Sequence, residues 1–297
     1  MFIKRHPELL LLFTSAVAAA GWIFSKETVQ GMPPFGFIGL RFILAAVLLF
    51  LFCYRGVLAA SRPDLLRAAG TGLVLGLSLT CWIHAIAISG TLGEGAFIMS
   101  LSMLVVPLLA WPLFKEKPAG IFWLSLPIAL VGLFFLSSTE GKQWGLALNQ
   151  LWFLAAAILL ALHFNLNSQC SRRLPALVLT SVQLLVTGFL GIAASLLFET
   201  WPNTIDNAIW GWFLLSTVLA TSLRYLMQTA GQQNSSSSNA ALIMLLEPVW
   251  TVVLSVAIYR EQLSTNKVIG STLILLALVA YRSTALWRKY SAPQSAG

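Results

Sequence analysis

One acidic side chain lies inside a long apolar stretch of this sequence, LIMLLEPVWTVVLSV at residues 242–256. Glu247 has two kinds of chemistry open to it there: it can exchange a proton, or it can pair with a cation such as Arg224. The two roles are compatible, because a protein that changes shape can break the pair when a ligand binds. Pro248 follows directly and removes a backbone hydrogen bond, which predicts a kink that serves either as a gate or as ordinary packing.

A second charge, Arg41, lies in another apolar stretch, RFILAAVLLF. A guanidinium group can bind a carboxylate through two parallel hydrogen bonds, so one interpretation is recognition of an acidic group on a ligand. The other interpretation is a structural or gating network, in which Glu94 is the alternative partner and His84 and Lys26 lie at similar depth. We favour the network over recognition.

Two lone histidines and an amide also lie among apolar residues. His84 and His163 lack the spacing of metal ligands, so contact between helices explains each of them better than a metal site. His163 begins a polar run that includes Asn167 and is a candidate for cavity lining. We predict no metal and no other cofactor.

Three tryptophans, Trp22, Trp82 and Trp250, lie deep within apolar stretches, away from the ends where aromatic residues usually mark a membrane surface. They are candidates for stacking on an aromatic or hydrophobic ligand, although helix packing explains any one of them better. Pro107 predicts a further kink, in the fourth apolar stretch.

The composition places these residues in a membrane. The chain has 297 residues, of which 58% are hydrophobic and only 9% are charged, and its mean hydropathy is +0.84. Soluble proteins have roughly 25% charged residues, and one soluble core cannot hide this apolar surplus. The fold class that follows is an all-α polytopic membrane protein with ten transmembrane helices.

Windows of about 20 apolar residues locate the ten spans between short polar or proline-containing breaks. No break leaves room for a separate soluble domain. The predicted spans are roughly 9–29, 34–54, 65–89, 92–114, 118–138, 149–169, 175–198, 208–230, 238–259 and 265–286.

The distribution of lysine and arginine predicts the orientation. With the N-terminus inside, twelve of these residues lie on the cytoplasmic side and four on the outer side, which places both termini in the cytoplasm of a multi-pass inner-membrane protein. The net charge of +8 then needs no nucleic-acid partner. The N-terminal residues imitate a secretory signal, but the apolar run continues past the small residues 16–18, so we predict a retained first span.

The sequence repeats once. A shift of 145 residues lays AALIMLLEPVWTVVLSVAIYREQ on GAFIMSLSMLVVPLLAWPLFKEK, and a shift of 142 residues matches Pro33 to Pro175 and Arg41 to Gln183. The repeat unit contains five predicted helices, in residues 1–143 and 144–297. Because five is odd, the two units must have opposite orientations in the membrane, which is the inverted-repeat plan of secondary transporters.

Four further features are informative together: Arg41 in RFILAAVLLF, Tyr225-Leu226-Met227-Gln228, the run from Ala241 to Pro248 with the later Glu261, and Gly270. With them the chain resembles the drug/metabolite transporter superfamily, and more closely its EamA-like branch of ten-helix inner-membrane transporters. The resemblance covers nearly the whole chain, and the second half fits the pattern better than the first, where Met103 stands in the place of Pro248.

The resemblance implies a carrier driven by protons or another gradient, often an exporter of amino acids or related metabolites, and not an enzyme. The sequence contains no Walker loop, no HExxH and no GxSxG motif. Expected partners are a small-molecule substrate, membrane lipid and protons, without nucleic acid, and the carrier is a monomer or a homodimer. Two alternatives remain: efflux of hydrophobic drugs or cations, and a non-transporting receptor or scaffold.

Overall fold

The computed structural model describes residues 7–90, 92–115, 120–137, 147–171, 173–225, 227, 246–260, 262 and 264–291. The regular elements within these ranges are helices, without a strand. In chain order they are α1 (Pro7–Thr28), α2 (Pro34–Ala59), α3 (Arg62–Ile88), α4 (Gly93–Ser100), α5 (Ser102–Phe114), α6 (Phe122–Ser137), α7 (Leu148–Cys170), α8 (Ala176–Phe198), α9 (Asn207–Thr217) with a π-helical turn (Val218–Leu223), α10 (Leu246–Tyr259) and α11 (Thr265–Ser291).

Six helical segments in the described part of the chain are long and apolar enough to cross a membrane. Four shorter apolar helices accompany them, Phe122–Phe135, Asn207–Leu223, Leu246–Tyr259 and Thr265–Ala277. All of these segments lie within or across the predicted spans, so the all-helical, multi-span prediction is confirmed. Ten complete crossings and the orientation of the termini remain predictions.

The helices begin where the sequence supplies a residue suited to a helix start. Pro34 begins α2, at a position where its missing N–H is not needed. At the start of α3 the Ser61 hydroxyl accepts a hydrogen bond from the backbone N–H of Asp64, and Asp206 caps α9 by accepting from the N–H of Ala208. These caps satisfy backbone donors that no helical carbonyl can reach.

Helices α2 and α8 pack against each other in opposite directions. Gly36, near the start of α2, faces Ser195 near the end of α8, whereas Gly56, near the end of α2, faces Val178 near the start of α8. A Cβ atom on Gly39 would lie 2.6 Å from a backbone nitrogen of α8, so only glycine permits this close crossing. The second helix of each predicted repeat therefore runs antiparallel to its counterpart.

Contacts between the two halves come in matched pairs. Helix α3 packs against α7, and α9 packs against α1; in the same way α10 packs against α1, and α5 packs against α7. The last helices of the halves, α6 and α11, pack directly on each other. This arrangement brings α1, α3, α7 and α10 together between the halves, where the candidate site lies.

The fourth predicted span, 92–114, is interrupted at Leu101, which separates α4 from α5. The sequence placed a bend at Pro107, whereas the interruption comes six residues earlier. The Ser100 hydroxyl donates to the carbonyl oxygen of Phe97, which in a continuous helix would accept from the Leu101 N–H. That N–H bonds instead to the Ile98 oxygen, because serine hydroxyls compete with the helical backbone.

The outer faces of the helices are strongly apolar. Phe52 is 81% exposed, and Leu196 and Phe198 are 77% and 76% exposed. Extensive apolar surface of this kind is unfavourable in water but suits the hydrocarbon core of a bilayer. The exposed apolar faces therefore support the membrane assignment independently of helix length.

Candidate functional site

Glu247 and Arg224 form an ion pair between neighbouring helical segments. Arg224 Nη2 lies 3.3 Å from Glu247 Oε2, and the two side chains keep 25% and 21% of their surface exposed. The Nε atom of Arg224 is buried and has no hydrogen-bond partner among the described residues. The pair is therefore partly accessible, and one Arg224 donor lacks a partner among the described residues.

Trp22 of α1 holds the other oxygen of this carboxylate. Its indole Nε1 donates to Glu247 Oε1 at 3.1 Å, and its own side chain is only 4% exposed. Glu247 thus has one partner from the first half of the chain and one from the second. A carboxylate shared in this way can sense the relative position of the halves.

Three aromatic rings from three helices form what we call the aromatic wall: Trp22, Trp82 and Phe153. The Trp22 and Trp82 rings meet edge to face with centroids 5.2 Å apart, and Phe153 lies 5.9 Å from Trp22. Gly95 of α4 makes room for the third ring, because a Cβ atom there would lie 2.4 Å from the Phe153 ring. The wall places flat apolar surface beside the Arg224–Glu247 pair.

Arg41 does not meet a carboxylate in this arrangement. It is 4% exposed and its three hydrogen-bond acceptors are neutral: Ser25 Oγ at 3.0 Å, the Ala220 carbonyl oxygen at 3.3 Å and Thr221 Oγ1. The rings of Phe37 and Phe42 lie 5.4 and 5.5 Å from its guanidinium carbon. Arg41 therefore belongs to a network between α1, α2 and the π-helical turn.

His163 and Asn167 join a polar chain in the second half. His163 Nε2 lies 3.1 Å from Gln183 Oε1, and Gln183 Nε2 donates to Asn167 Oδ1 at 2.7 Å. The repeat shift of 142 residues carries Ser25 and Arg41 onto Asn167 and Gln183. The same polar contact between the first two helices thus occurs in both halves, although its chemistry differs.

The structure places Glu94 away from Arg41, so the suggested pairing of these two residues is wrong. Glu94 of α4 accepts a hydrogen bond from Gln150 Nε2 of α7 and forms an ion pair of 3.4 Å with Lys267 of α11. Lys26 also points elsewhere, since its ammonium group donates to the carbonyl oxygens of Ile86 and Ser89. Side-chain length and helix rotation, which the sequence does not fix, decide these partners.

These contacts belong to one polar layer at the end of the bundle where α1, α3 and α10 finish and α4, α7 and α11 begin. We call it the end cluster; its members are Lys26, Glu27, Ser89, Glu94, Asn149, Gln150, Tyr259 and Lys267. Tyr259 donates to Glu27 at 2.5 Å, and Asn149 donates to the Ser89 hydroxyl at 3.3 Å. The end cluster therefore ties six helices together at one end.

His84 and Trp250 do not belong to the Arg224–Glu247 ion pair. His84 stacks on Phe35 and meets Trp152 edge to face, with centroids 6.0 and 5.0 Å away. Trp250 is 36% exposed, on the outer side of α10. Neither residue is brought to the aromatic wall.

The structure describes the surroundings of Pro107 on both sides but those of Pro248 only on its C-terminal side and at the two residues before it. Pro107 lies inside α5, and Asn165 of α7 donates to the neighbouring carbonyl oxygen of Val106 at 3.0 Å. Pro248 is buried in the first described turn of α10, and residues 228–245 before it lie outside the described residues. The predicted kink at Pro248 therefore stays a prediction.

A cavity of about 230 Å³ opens between α4, α10 and α11. Its wall includes four valines, with Glu94 and Lys267 among the polar lining residues, and neither Arg224 nor Glu247 lines it. The described residues contain no group of three or more histidine, cysteine or acidic side chains suited to a metal ion.

Sequence reasoning missed Phe153, Gln150 and Thr221. Phe153 had no polar signal, and Gln150 lies at a helix start where polar residues are ordinary. The hydroxyl residues of TVLATSL, at positions 217–223, were the available signal for the π-helical turn. Hydroxyl side chains inside an apolar span bond to their own backbone and loosen regular helical geometry.

The fold and the site define a class of protein: a helical, multi-pass membrane protein in two repeats, with charges held between its halves. A sequence profile of the EamA-like transporter family matches residues 6–138 and again residues 148–282. The chain belongs to the EamA-like transporter family, as the resemblance predicted. It is a transporter in the two-repeat architecture of that family, and its substrate is a small molecule.

Relatives agree with this membership. The chain is 26% identical over 279 residues to an uncharacterised transporter of Archaeoglobus fulgidus, covering 93% of this chain and 86% of that one. It is 27% identical over 215 residues to the S-adenosylmethionine/S-adenosylhomocysteine transporter of Chlamydia trachomatis, covering 68% and 65%. A protein of known crystal structure shares the fold, with a TM-score of 0.66, 20% identity and coverage of 96% and 99%.

Proposed function

We propose that this protein is a secondary carrier that exports amino acids or related small metabolites across the cytoplasmic inner membrane by alternating access. It crosses the membrane ten times as two inverted repeats, residues 1–143 and 144–297, with both termini in the cytoplasm. The observation that carries the proposal is the partly exposed Arg224–Glu247 pair, held against Trp22 between the halves. Intramembrane charges are costly and normally line a substrate or ion pathway.

The pair matches the head group of an amino acid. The substrate carboxylate binds the exposed part of the Arg224 side chain, which keeps 25% of its surface accessible, and the substrate ammonium group binds Glu247. A zwitterion therefore replaces one intramembrane ion pair with two, so neither protein charge is left alone. The exchange also separates Arg224 from Glu247, which links binding to movement of the helices that carry them.

The aromatic wall suits the rest of such a substrate. Trp22, Trp82 and Phe153 pack on one another beside the pair, and these buried rings become available for stacking when the halves move apart. S-adenosylmethionine and S-adenosylhomocysteine, for which the Chlamydia trachomatis relative is named, each join an amino-acid head group to a flat adenine ring. Amino acids with aromatic side chains and these adenosyl amino acids therefore head the panel of candidates.

Protons are the proposed coupling ion. When Glu247 takes up a proton it loses its charge and releases Arg224, so proton binding and substrate binding both act on the same contact. This gives the carrier a means of exchanging a proton for a substrate. It needs no ATP hydrolysis.

Efflux of hydrophobic cations is the second candidate. Glu247 beside the Trp22 indole would also hold a cation through its carboxylate and the ring face. In that case Arg224 is only a counter-charge, and a substrate carboxylate gives no benefit. Amino acids and their decarboxylated amines therefore distinguish the two functions.

Efflux from proteoliposomes tests the proposal. Purified protein is reconstituted with labelled amino acids, the matching decarboxylated amines or S-adenosylmethionine inside, with and without an imposed proton gradient. Gradient-dependent release of the amino-acid class supports the proposal. Release of the amines alone favours cation efflux, and release of neither class favours a non-transporting role.

A further inference from the structure

The π-helical turn Val218–Leu223 leads directly into Arg224. In this turn the N–H of Arg224 bonds to the carbonyl oxygen of Leu219, five residues back. A π-helical turn is rare and contains one residue more than an α-helical turn. Converting it to an α-helix would rotate the following residues by about 100°, the angle per residue of an α-helix, so the turn determines where Arg224 points.

Arg41 is the residue that binds this turn from outside. Its Nη2 donates to the carbonyl oxygen of Ala220 at 3.3 Å, and its Nε donates to the Thr221 hydroxyl. Thr221 in turn donates to the carbonyl oxygen of Ser216 at 3.0 Å. The guanidinium thus bonds to backbone and side-chain groups that belong to the irregular geometry.

The other repeat supplies a natural comparison. Gln183, which matches Arg41 by the repeat shift, lies against Gly72 of α3, and α3 is the helix that matches α9 and its turn. Helix α3 is regular throughout Arg62–Ile88, and there the matching residue is a neutral amide. The cation therefore occurs in the half of the chain whose helix contains the π-helical turn.

From these contacts we propose that Arg41 is a positioning residue: it holds the turn Val218–Leu223 in its π-helical form and thereby aims Arg224 at Glu247. It does not contact the substrate. The step from ion-pair geometry to transport rests on the proposed function, whereas the step from Arg41 to the ion pair does not.

Hydrogen–deuterium exchange of residues 216–225 in the purified protein tests the first step. Arg41→Gln should increase amide exchange there at least about tenfold, because the Ala220 and Thr221 contacts are lost. Ser25→Ala is the control, since it removes an Arg41 contact that does not involve the turn and should leave exchange there unchanged.

A second pair of variants covers the case in which Arg41→Gln does not fold. Thr221→Val removes the hydroxyl that Arg41 binds, and Thr187→Val removes an equally buried hydroxyl that bonds to the Gly72 carbonyl oxygen instead. Thr221→Val should increase exchange in the turn, and Thr187→Val should not. Equal exchange in these two variants, or unchanged exchange in a folded Arg41→Gln variant, would overturn the proposal.

Melting temperatures test the second step without any transport measurement. If Arg41 acts by aiming Arg224, then Arg41→Gln already breaks the ion pair, and adding Arg224→Gln should lower the melting temperature no further. Additive losses in the double variant would show that Arg41 does not act through Arg224. Absence of transport in the parent protein would refute the proposed function and leave this result standing.

Transport then separates positioning from recognition. Arg41→Lys keeps the charge but loses the fork that reaches Ala220 and Thr221 together, so it should behave like Arg41→Gln, with the half-saturation concentration raised for every substrate by the same factor. A loss confined to substrates that carry a carboxylate would instead make Arg41 a recognition residue.

Discussion

Glu247 is bound by two donors from different halves of the chain, Arg224 Nη2 at 3.3 Å and Trp22 Nε1 at 3.1 Å. Both contacts depend on the carboxylate charge, because hydrogen bonds to an ionised acceptor are roughly twice as strong as neutral ones. A proton therefore weakens both contacts at once, whereas a substrate ammonium group leaves Glu247 ionised and replaces only Arg224.

Glu247→Gln should uncouple transport but still allow exchange of substrate, with a higher half-saturation concentration because the charge that binds the substrate ammonium group is lost. The amide keeps the shape but cannot take up a proton, so a pH gradient should no longer drive accumulation, and exchange should lose its dependence on pH. The measurement is counterflow and gradient-driven efflux in parallel. Glu199→Gln is the control and should keep the pH dependence, because Glu199 accepts hydrogen bonds from the Phe35 and Gly36 N–H groups at the start of α2. An unchanged pH dependence of exchange in Glu247→Gln would refute the proton role of Glu247.

Trp22→Phe and Trp82→Phe are a matched pair within the aromatic wall. Both variants keep a ring, but only the first removes a hydrogen bond to Glu247. A hydrogen bond to a charged group contributes about 1.5–3 kcal/mol, so Trp22→Phe should raise the half-saturation concentration by about tenfold or more. Trp82→Phe should change the half-saturation concentration by less than about threefold. Equal effects of the two variants in half-saturation assays would show that the Trp22 hydrogen bond does not contribute to substrate binding.

The pairing of Glu247 with Arg224 was accessible from sequence, because two charges in consecutive apolar spans need each other. The partners of Arg41 were not, since hydroxyl and carbonyl groups of a neighbouring helix leave no charge pattern to read. The partner of Glu94 was predicted wrongly for a related reason. Gln150 and Lys267 lie at helix starts, and the sequence does not locate such residues along the membrane normal accurately enough to show that they contact Glu94.

At the scale of helices, Gly21 of α1 lets the π-helical turn approach closely. A Cβ atom on Gly21 would lie 2.8 Å from the Cβ atom of Ala220, closer than two carbon atoms normally approach. Gly21 precedes Trp22, so this contact also fixes the depth at which the indole meets Glu247.

Gly21→Ala should therefore reduce transport and melting temperature together, because α1 and the turn must separate. Adding Ala220→Gly removes the opposing methyl group and should restore most of the loss, although a second glycine has its own entropic cost. Thermal unfolding and initial efflux rates of the single and double variants provide the check. Failure of the second substitution to recover either quantity would show that the close contact is not the cause.

The helices were predictable because hydrocarbon imposes a simple rule on them: apolar residues for the length of the span and internally satisfied backbone groups. Sequence windows thus located the described helix ends to within a few residues, apart from the C-terminal ends of α2 and α11, which each extend five residues beyond the predicted span. The interruption at Leu101 was not predictable in this way, since it depends on which carbonyl oxygen accepts a hydrogen bond from the Ser100 hydroxyl.

At the scale of the whole molecule, the end cluster lies at the end of the bundle that the proposed orientation places outside. The Glu94–Lys267 pair ties α4 to α11, and Gln150 adds α7. Opening toward that side must break these contacts, so the end cluster stabilises the form in which the central pair is closed off from the outside.

Lys267→Met should make the central site more accessible from outside. In a background without the three native cysteines, a cysteine replacing Phe153, which is fully buried, should react at least about fivefold faster with a membrane-impermeant thiol reagent when Lys267 is also changed. This corresponds to a shift of roughly 1 kcal/mol in the equilibrium between closed and open forms. Arg260→Met, a change at a nearby exposed cation, should leave the reaction rate unchanged. Equal acceleration by Lys267→Met and Arg260→Met would show that the Glu94–Lys267 ion pair does not stabilise the closed form.

Binding of matched ligands to matched variants tests the central claim most directly. The affinity of the transported amino acid and of its decarboxylated amine is measured with the parent protein and with Arg224→Gln. We predict that removing the carboxylate weakens binding to the parent at least about tenfold and weakens binding to Arg224→Gln hardly at all, because the group and its partner form one contact. If the carboxylate contributes equally in both proteins, Arg224 does not bind it, and the site is not the one proposed.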